Sequence, residues 1–154
     1  MANTALAEVL NDLILINNDR IEGYEKAIAQ ADNIDVDLKG IFTKMISQSR
    51  ENVGQLHTLV TQLGEKPESG TTVSGKVYRA WMSVKSTFTA NERESVLELC
   101  EAGEDAAQKA YREALSDADL TGNARQLIAS QQASLKTSHD LIKKYRDAQR
   151  AVNH

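Results

Sequence analysis

The sequence predicts an all-α protein, a single domain of four long amphipathic helices with a shorter helix in a long crossover between the second and third. Three observations carry this. Apolar residues recur at three-to-four spacing across four long windows, the pattern of one buried helical stripe each. Two links, near residues 32–35 and 117–120, are short enough to make their flanking helices antiparallel neighbours, and one long connection, 65–90, separates the two hairpins. The composition, 41% hydrophobic but 5% aromatic with one proline and eight glycines, suits long helices and disfavours a turn-rich β protein. A plain five-helix up-and-down array is the alternative, because periodicity does not set the direction of residues 73–88.

The first helix is predicted over 5–31, where Leu6, Leu10, Leu13, Asn17, Tyr24 and Ile28 share a stripe. The segment "ADNIDVD" breaks it, with Asp35 as N-cap and Asp37 in the next first turn, where the helix dipole favours negative charge. The second helix, 36–63, carries Phe42, Ile46, Ser49, Val53, Leu56, Val60 and Leu63, and stops at Gly64 with Pro67 beyond. "EKPESGTT" at 65–72 has loop composition. Val73, Val77, Trp81, Val84 and Phe88 then mark the crossover helix, which Trp81 and Phe88 pin across the bundle; an exposed docking surface is their alternative role. "TANE" at 89–92 has the form of a capping box, Thr89 with Glu92, and opens the third long helix, which runs to about Ser116. After "SDADLTGN" the fourth carries Ala124, Ile128, Gln131, Leu135, Ser138, Ile142, Tyr145 and Val152.

The whole chain, 1–154, reads as one domain, and a chain of this length buries about 70% of its unfolded surface without help from disulfides. Its net charge of -4, from 18 basic and 22 acidic residues of interleaved sign, leaves no footprint for nucleic acid or for an anionic membrane. The longest aliphatic run near the amino terminus, Leu13 to Ile16, is too short to span a bilayer, and no leader signature precedes it, so the cytoplasm of a bacterial cell is the expected location. Cys100, the sole cysteine, lies on an apolar face and reads as a small buried hydrophobe rather than a nucleophile. There is no GxxxxGK[ST], GxGxxG, CxxC or HExxH, and no repeat of fixed period. No hydroxyl is placed beside a base on a strained turn, so no catalytic residue is assigned.

Each long helix interrupts its apolar stripe near the middle. In "LELCEAGEDAAQKAY" Leu97, Cys100, Ala107 and Tyr111 flank Glu104, which takes the central slot of a core-facing face. Asn17 and Ser49 lie about 15 residues either side of the first link, and Glu104 and Gln131 about 12 either side of the second, so each pair is expected at one height. The four interruptions predict a polar layer. A carboxylate from two helices and an acid-x-x-His from each of the others would make it the di-iron layout of ferritin-like bundles; amides, a hydroxyl and one acid stand there instead.

Three runs, "SGTTVSGKVYRAWMSVKSTFT", "LELCEAGEDAAQKAYREAL" and "HDLIKKYRD", resemble a bacterial family of uncharacterised four-helix-bundle proteins in the ferritin-like superfamily, distantly similar to rubrerythrin. The resemblance spans nearly the whole chain and implies two antiparallel hairpins joined by a long crossover, with no assigned activity. Rubrerythrin's third-helix Gly-Glu matches Gly103 and Glu104; its first-helix glutamate falls near Asn17, and its two Glu-x-x-His motifs at Ser49-x-x-Asn52 and near Gln131-x-x-Ser134. One of six ligand positions keeps a metal-binding side chain, so no metal or other cofactor is expected, with iron or manganese as the alternative.

His57 and His139 are read as surface or boundary residues, since the helix geometry separates them by roughly 24 Å along the bundle. Glu22, Glu25, Glu51 and Glu101, and Lys76, Arg79 and Lys85 on the crossover helix, are read as solvated. The polar layer is expected to comprise Asn17, Ser49, Asn52, Glu104, Tyr111, Gln131 and Ser134, with the amides and hydroxyls donating to a buried Glu104. On that basis Glu104→Gln should change stability little and Glu104→Ala should cost about 1–3 kcal/mol. The expected function is that of a non-enzymatic bundle with a degenerate di-iron site, forming a homodimer and binding a protein partner or a small apolar ligand, with a role in stress physiology by superfamily analogy. A residual metal-dependent oxidase or peroxidase centred on Glu104 is the alternative.

Overall fold

The computed structural model of the chain describes residues 2–30, 36–86 and 93–153. Its helices are α1 (Ala2–Gln30), α2 (Val36–Gln62), α3 (Gly75–Ser86), α4 (Arg93–Leu115) and α5 (Gly122–Asn153), and no strand occurs among the described residues. Asp35, the Thr89–Glu92 capping box, Phe88 and His154 lie outside them. The crossover helix is shorter than its apolar stripe: Gly75, at φ 93°, turns the chain at its start and leaves Val73 outside the helix, 85% exposed.

Side-chain pairs across the helices establish the topology. Asn17 meets Ser49 and Tyr24 meets Phe42, so α1 and α2 are antiparallel; Tyr111 meets Gln131 and Glu101 meets His139, so α4 and α5 are too. Asn17 with Tyr111 and Arg20 with Glu104 make α1 antiparallel to α4, while Gln131 with Gln55 and Ser138 with Gln48 do the same for α5 and α2. Consequently α2 and α4 run parallel, and the connection between them must return along the length of the bundle.

The connecting strand of chain does this beside α1. Gly64, at φ 79°, ends α2 with Glu65 N–H donating to Val60 O and Gly64 N–H to Thr61 O, the paired bonds of a Schellman cap. Asn11 then donates to Lys66 O and accepts from Glu68 N–H, Asn18 donates to Gly70 O, and Thr72 donates its amide and hydroxyl to Asp19. The partners advance together along both segments, so residues 66–72 run parallel to α1. Buried Asp19 also receives Lys85 Nζ at 3.1 Å, which ties α3 to the same helix. Lys85, read from sequence as solvated, is therefore held, because a buried carboxylate requires a compensating cation.

Trp81 pins α3 across the bundle, fully buried between α1 and α4. Its indole lies so close to two glycines that a Cβ at Gly23 would stand 2.4 Å from Cε3 and one at Gly103 would stand 2.7 Å from Cε2. Tyr24 stacks edge-on against Trp81 with centroids 5.3 Å apart and tilts onto Phe42 at 5.0 Å. At the other hairpin, Arg125 donates to Leu115, Asp117 and Leu120 carbonyls and so covers the open carbonyl end of α4. Two apolar clusters result. Leu10, Leu13, Ile14, Leu56, Val60, Tyr111, Ile128 and Leu135 fill one, and Tyr24, Leu38, Phe42, Met45, Trp81, Leu97, Cys100 and Ile142 fill the other.

Candidate functional site

Between the two clusters lies a band of buried polar side chains: Asn17, Arg20, Ser49, Asn52, Glu104, Gln108, Gln131 and Ser138, each at most 8% exposed. Its centre is an ion pair. Arg20 Nε donates to Glu104 Oε1 at 2.5 Å and the terminal Nη2 to Oε2 at 3.2 Å, while Tyr24 O–H donates to Oε1 at 2.7 Å. Both Glu104 oxygens are thus engaged. Arg20 spends its remaining donors on Ser49 Oγ at 2.9 Å, Met45 O at 3.2 Å and the Met45 sulfur at 3.3 Å, and lies 5.6 Å from the centre of the Tyr24 ring.

From Arg20 the network continues without a break. Ser49 donates to Asn17 Oδ1, which also accepts from Asn52; Asn17 Nδ2 donates to its own Leu13 carbonyl and to Tyr111 Oη; Tyr111 donates to Gln131 Oε1; and Gln131 Nε2 reaches Gln55 Oε1. All four long helices are therefore stitched through one hydrogen-bonded chain, as buried polar groups require. Gln108 Oε1 and the Trp81 indole nitrogen are buried with no hydrogen-bond partner among the described residues.

Between them, burial and the ion pair shift Arg20, Tyr24, Tyr111 and Cys100 upward. Burial opposes the charge on Arg20, but the carboxylate of Glu104, with Tyr24 and the hydrogen bond that Arg20 donates to Glu104, outweighs it, so the guanidinium is held above its ordinary value. Burial first, and then the Glu104 charge, push Tyr24 well above the ordinary phenol, which keeps it a donor. Tyr111 rises through burial, against the Asn17 hydrogen bond. Cys100 rises for the same reasons as Tyr24, which leaves an unreactive thiol.

Six of the seven expected layer residues, Asn17, Ser49, Asn52, Glu104, Tyr111 and Gln131, are buried in this network, whereas Ser134 is exposed on α5. The expected donors to Glu104 are corrected: among the described residues its partners are Arg20 and Tyr24, and none of the amides or hydroxyls proposed from sequence bonds it directly. The heights account for this. Tyr111–Gln131, Gln108–Gln132 and Glu101–His139 set the register of α4 on α5, so the level opposite Glu104 falls between Leu135 and Ser138, roughly one to two turns beyond Gln131. Arg20 was missed although its signal was present: it sits three residues after Asn17 and four before Tyr24, in the gap of the α1 stripe.

A second polar group lies outside the bundle axis. His139 Nε2 stands 3.1 Å from Glu101 Oε1 and 3.8 Å from Asp105 Oδ1, and Arg146 reaches the other Glu101 oxygen at 3.2 Å. Glu101, expected to be solvated, is 19% exposed because α5 lays the His139 ring and the Arg146 guanidinium over it. His57 is exposed.

Fold and layer define the class: a ferritin-like four-helix bundle. Among solved structures, a mutant of Mycobacterium smegmatis Dps1 superposes with a TM-score of 0.75, over 94% of this chain and 97% of that one, at 11% identity. The chain belongs to the DUF2383 family, a domain of unknown function, whose profile matches residues 5–117, covering α1 to α4. No curated protein matches it. No helix among the described residues is long and apolar enough to cross a membrane.

Proposed function

We propose that this protein is a non-enzymatic ferritin-like bundle of the bacterial cytoplasm whose ancestral di-iron site, of the kind rubrerythrin holds, has been replaced by an internal ion pair, and which acts through its outer surface. The observation that carries the reading is the bidentate contact of Arg20 with Glu104 at full burial. A di-iron centre takes glutamates from two helices and Glu-x-x-His from the other two. Here the corresponding side chains are Asn17, Ser49, Asn52, Gln131 and Ser134, and both oxygens of Glu104 are already neutralised by a guanidinium. A dication in the same place would meet that guanidinium at close range in a low dielectric, where like charges repel strongly. These residues do not fit a di-iron centre.

With the interior committed to structure, function falls to the helix faces: self-association as a homodimer and contact with a protein partner, in a stress-related role by superfamily analogy. A small ligand with an apolar part would use the open recess of about 590 Å³ between α1, α3 and α4, lined by Leu15, Ile16, Val77 and Ala106 together with the charged Asp12, Asp105, Lys109 and Glu113. Elemental analysis of protein purified without chelator, with peroxide turnover assayed alongside, tests the central point. The expected result is no iron or manganese held by the core and no turnover. Two such ions per chain with peroxide-dependent turnover would establish instead an oxidase or peroxidase built on Glu104.

A further inference from the structure

We propose that Glu101, Asp105 and His139 form a mononuclear site for a divalent transition metal on the α4–α5 face, separate from the core layer. One donor atom from each of Glu101, Asp105 and His139 lies within 4.8 Å of the other two. Two donors bound to one zinc-sized ion at about 2.0–2.1 Å are themselves roughly 3.0–3.4 Å apart. Of the two separations from Nε2, the 3.1 Å one to Glu101 already matches that spacing and the 3.8 Å one to Asp105 needs only a small closure.

What aims these atoms inward is the engagement of each residue's other polar atom. Arg146 holds Glu101 Oε2 at 3.2 Å, Lys109 holds Asp105 Oδ2 at 3.0 Å, and Asp140 Oδ1 lies 3.2 Å from His139 Nδ1. Asp140 is in turn fixed by Lys136 at 2.8 Å. A carboxylate on the far nitrogen of a ligating histidine places the ring proton on Nδ1 and turns the Nε2 lone pair to the metal. Glu101 and Asp105, four residues apart on α4, present their carboxylates one turn above the other, and α5 brings His139 against them. One imidazole and two carboxylates are a donor set for Zn²⁺, Co²⁺, Mn²⁺ or Fe²⁺, with further coordination positions left to water, since the three side chains remain 16–40% exposed.

The test titrates Co²⁺, followed by its visible absorbance, and then Zn²⁺ in competition, into untagged, chelator-stripped full-length protein. One ion per chain is expected, with binding weakened at least tenfold by His139→Ala and by Glu101→Gln, and with the far-ultraviolet dichroism of both variants unchanged. Absence of Co²⁺ binding up to millimolar concentration, or binding that His139→Ala leaves intact, overturns the assignment. Failure here does not touch the reading of the core: a di-iron centre would hold two ions and would be indifferent to His139→Ala, whereas this site holds one and depends on it.

Discussion

Arg20 brings a positive charge to the bundle axis, and that changes what Glu104 can tolerate. With amide donors alone, Gln at position 104 would preserve the layer; with a guanidinium against it, Gln leaves a buried cation uncompensated. Glu104→Gln and Glu104→Ala are both expected to cost about 3–5 kcal/mol, the loss that follows when one partner of a buried pair is removed. Replacing both, as Arg20→Met with Glu104→Leu, should recover most of that loss, because the desolvation of two charges is relieved together. Urea denaturation of the four proteins checks it, and a neutral Glu104→Gln would remove Arg20 from its assigned role. Tyr24, Tyr111 and Cys100 supply a pH dependence. Their folded pKa values lie above the ordinary 10.0 and 9.0, so the stability they contribute is whole below those values and is lost as pH rises through them. The unfolding free energy from urea denaturation should hold from pH 7 to about 9 and then fall, by up to about 1.4 kcal/mol per pH unit for each group that must stay neutral. Tyr24→Phe should flatten part of that decline, measured by repeating the denaturation between pH 8 and 11.

At the scale of the element, glycines of one sequence type have opposite meanings. Gly103 and Gly23 face the indole of Trp81 within van der Waals contact, while nothing lies within 4 Å of the Cβ position at Gly54 on α2. Gly103→Ala must push Trp81 aside and should cost about 1–3 kcal/mol as an overpacked core position does. Gly54→Ala meets no obstacle and should stabilise by about 0.5–1 kcal/mol through the backbone entropy of the unfolded chain. Thermal melts of the two variants, with Trp81 emission as a local probe, distinguish them; equal effects would place α3 elsewhere. The crossover is held by a comparable contrast, since Asn11, Asn18 and Asp19 stand on the α1 surface as ordinary polar residues until residues 66–72 come to rest on them.

For the whole molecule, the polar layer is the seam between two apolar clusters. In the wild type it joins them, so Trp81 fluorescence, which reports one cluster, and far-ultraviolet dichroism, which reports all helices, should give coincident transitions. In Glu104→Ala the network is cut at its most costly point, and the two transitions should separate. Coincident curves in that variant would show that helix packing alone carries cooperativity across the seam.

The sequence by itself determined the elements, because a helix writes its own periodicity: the stripes of Phe42 to Val60 and Leu97 to Tyr111, the stop at Gly64 and the long crossover are all local facts. It also marked Glu104 as anomalous and matched Asn17 with Ser49. Which donor meets Glu104 was decided only by tertiary structure. The register of α4 on α5 depends on the turn from Ser116 to Thr121, where buried Leu120 and the bonds of Arg125 shift the pairing by roughly one to two turns, and no periodicity within either helix records it. The long side chain of Arg20 then spans from α1 to both α2 and α4, a reach that spacing along one helix cannot express. Gly23 and Gly103 are explained in the same way, by an indole that approaches them from a segment more than twenty residues away in one case and more than fifty in the other. A helix face is a property of its own residues, whereas a contact is a property of how two faces are brought to one height.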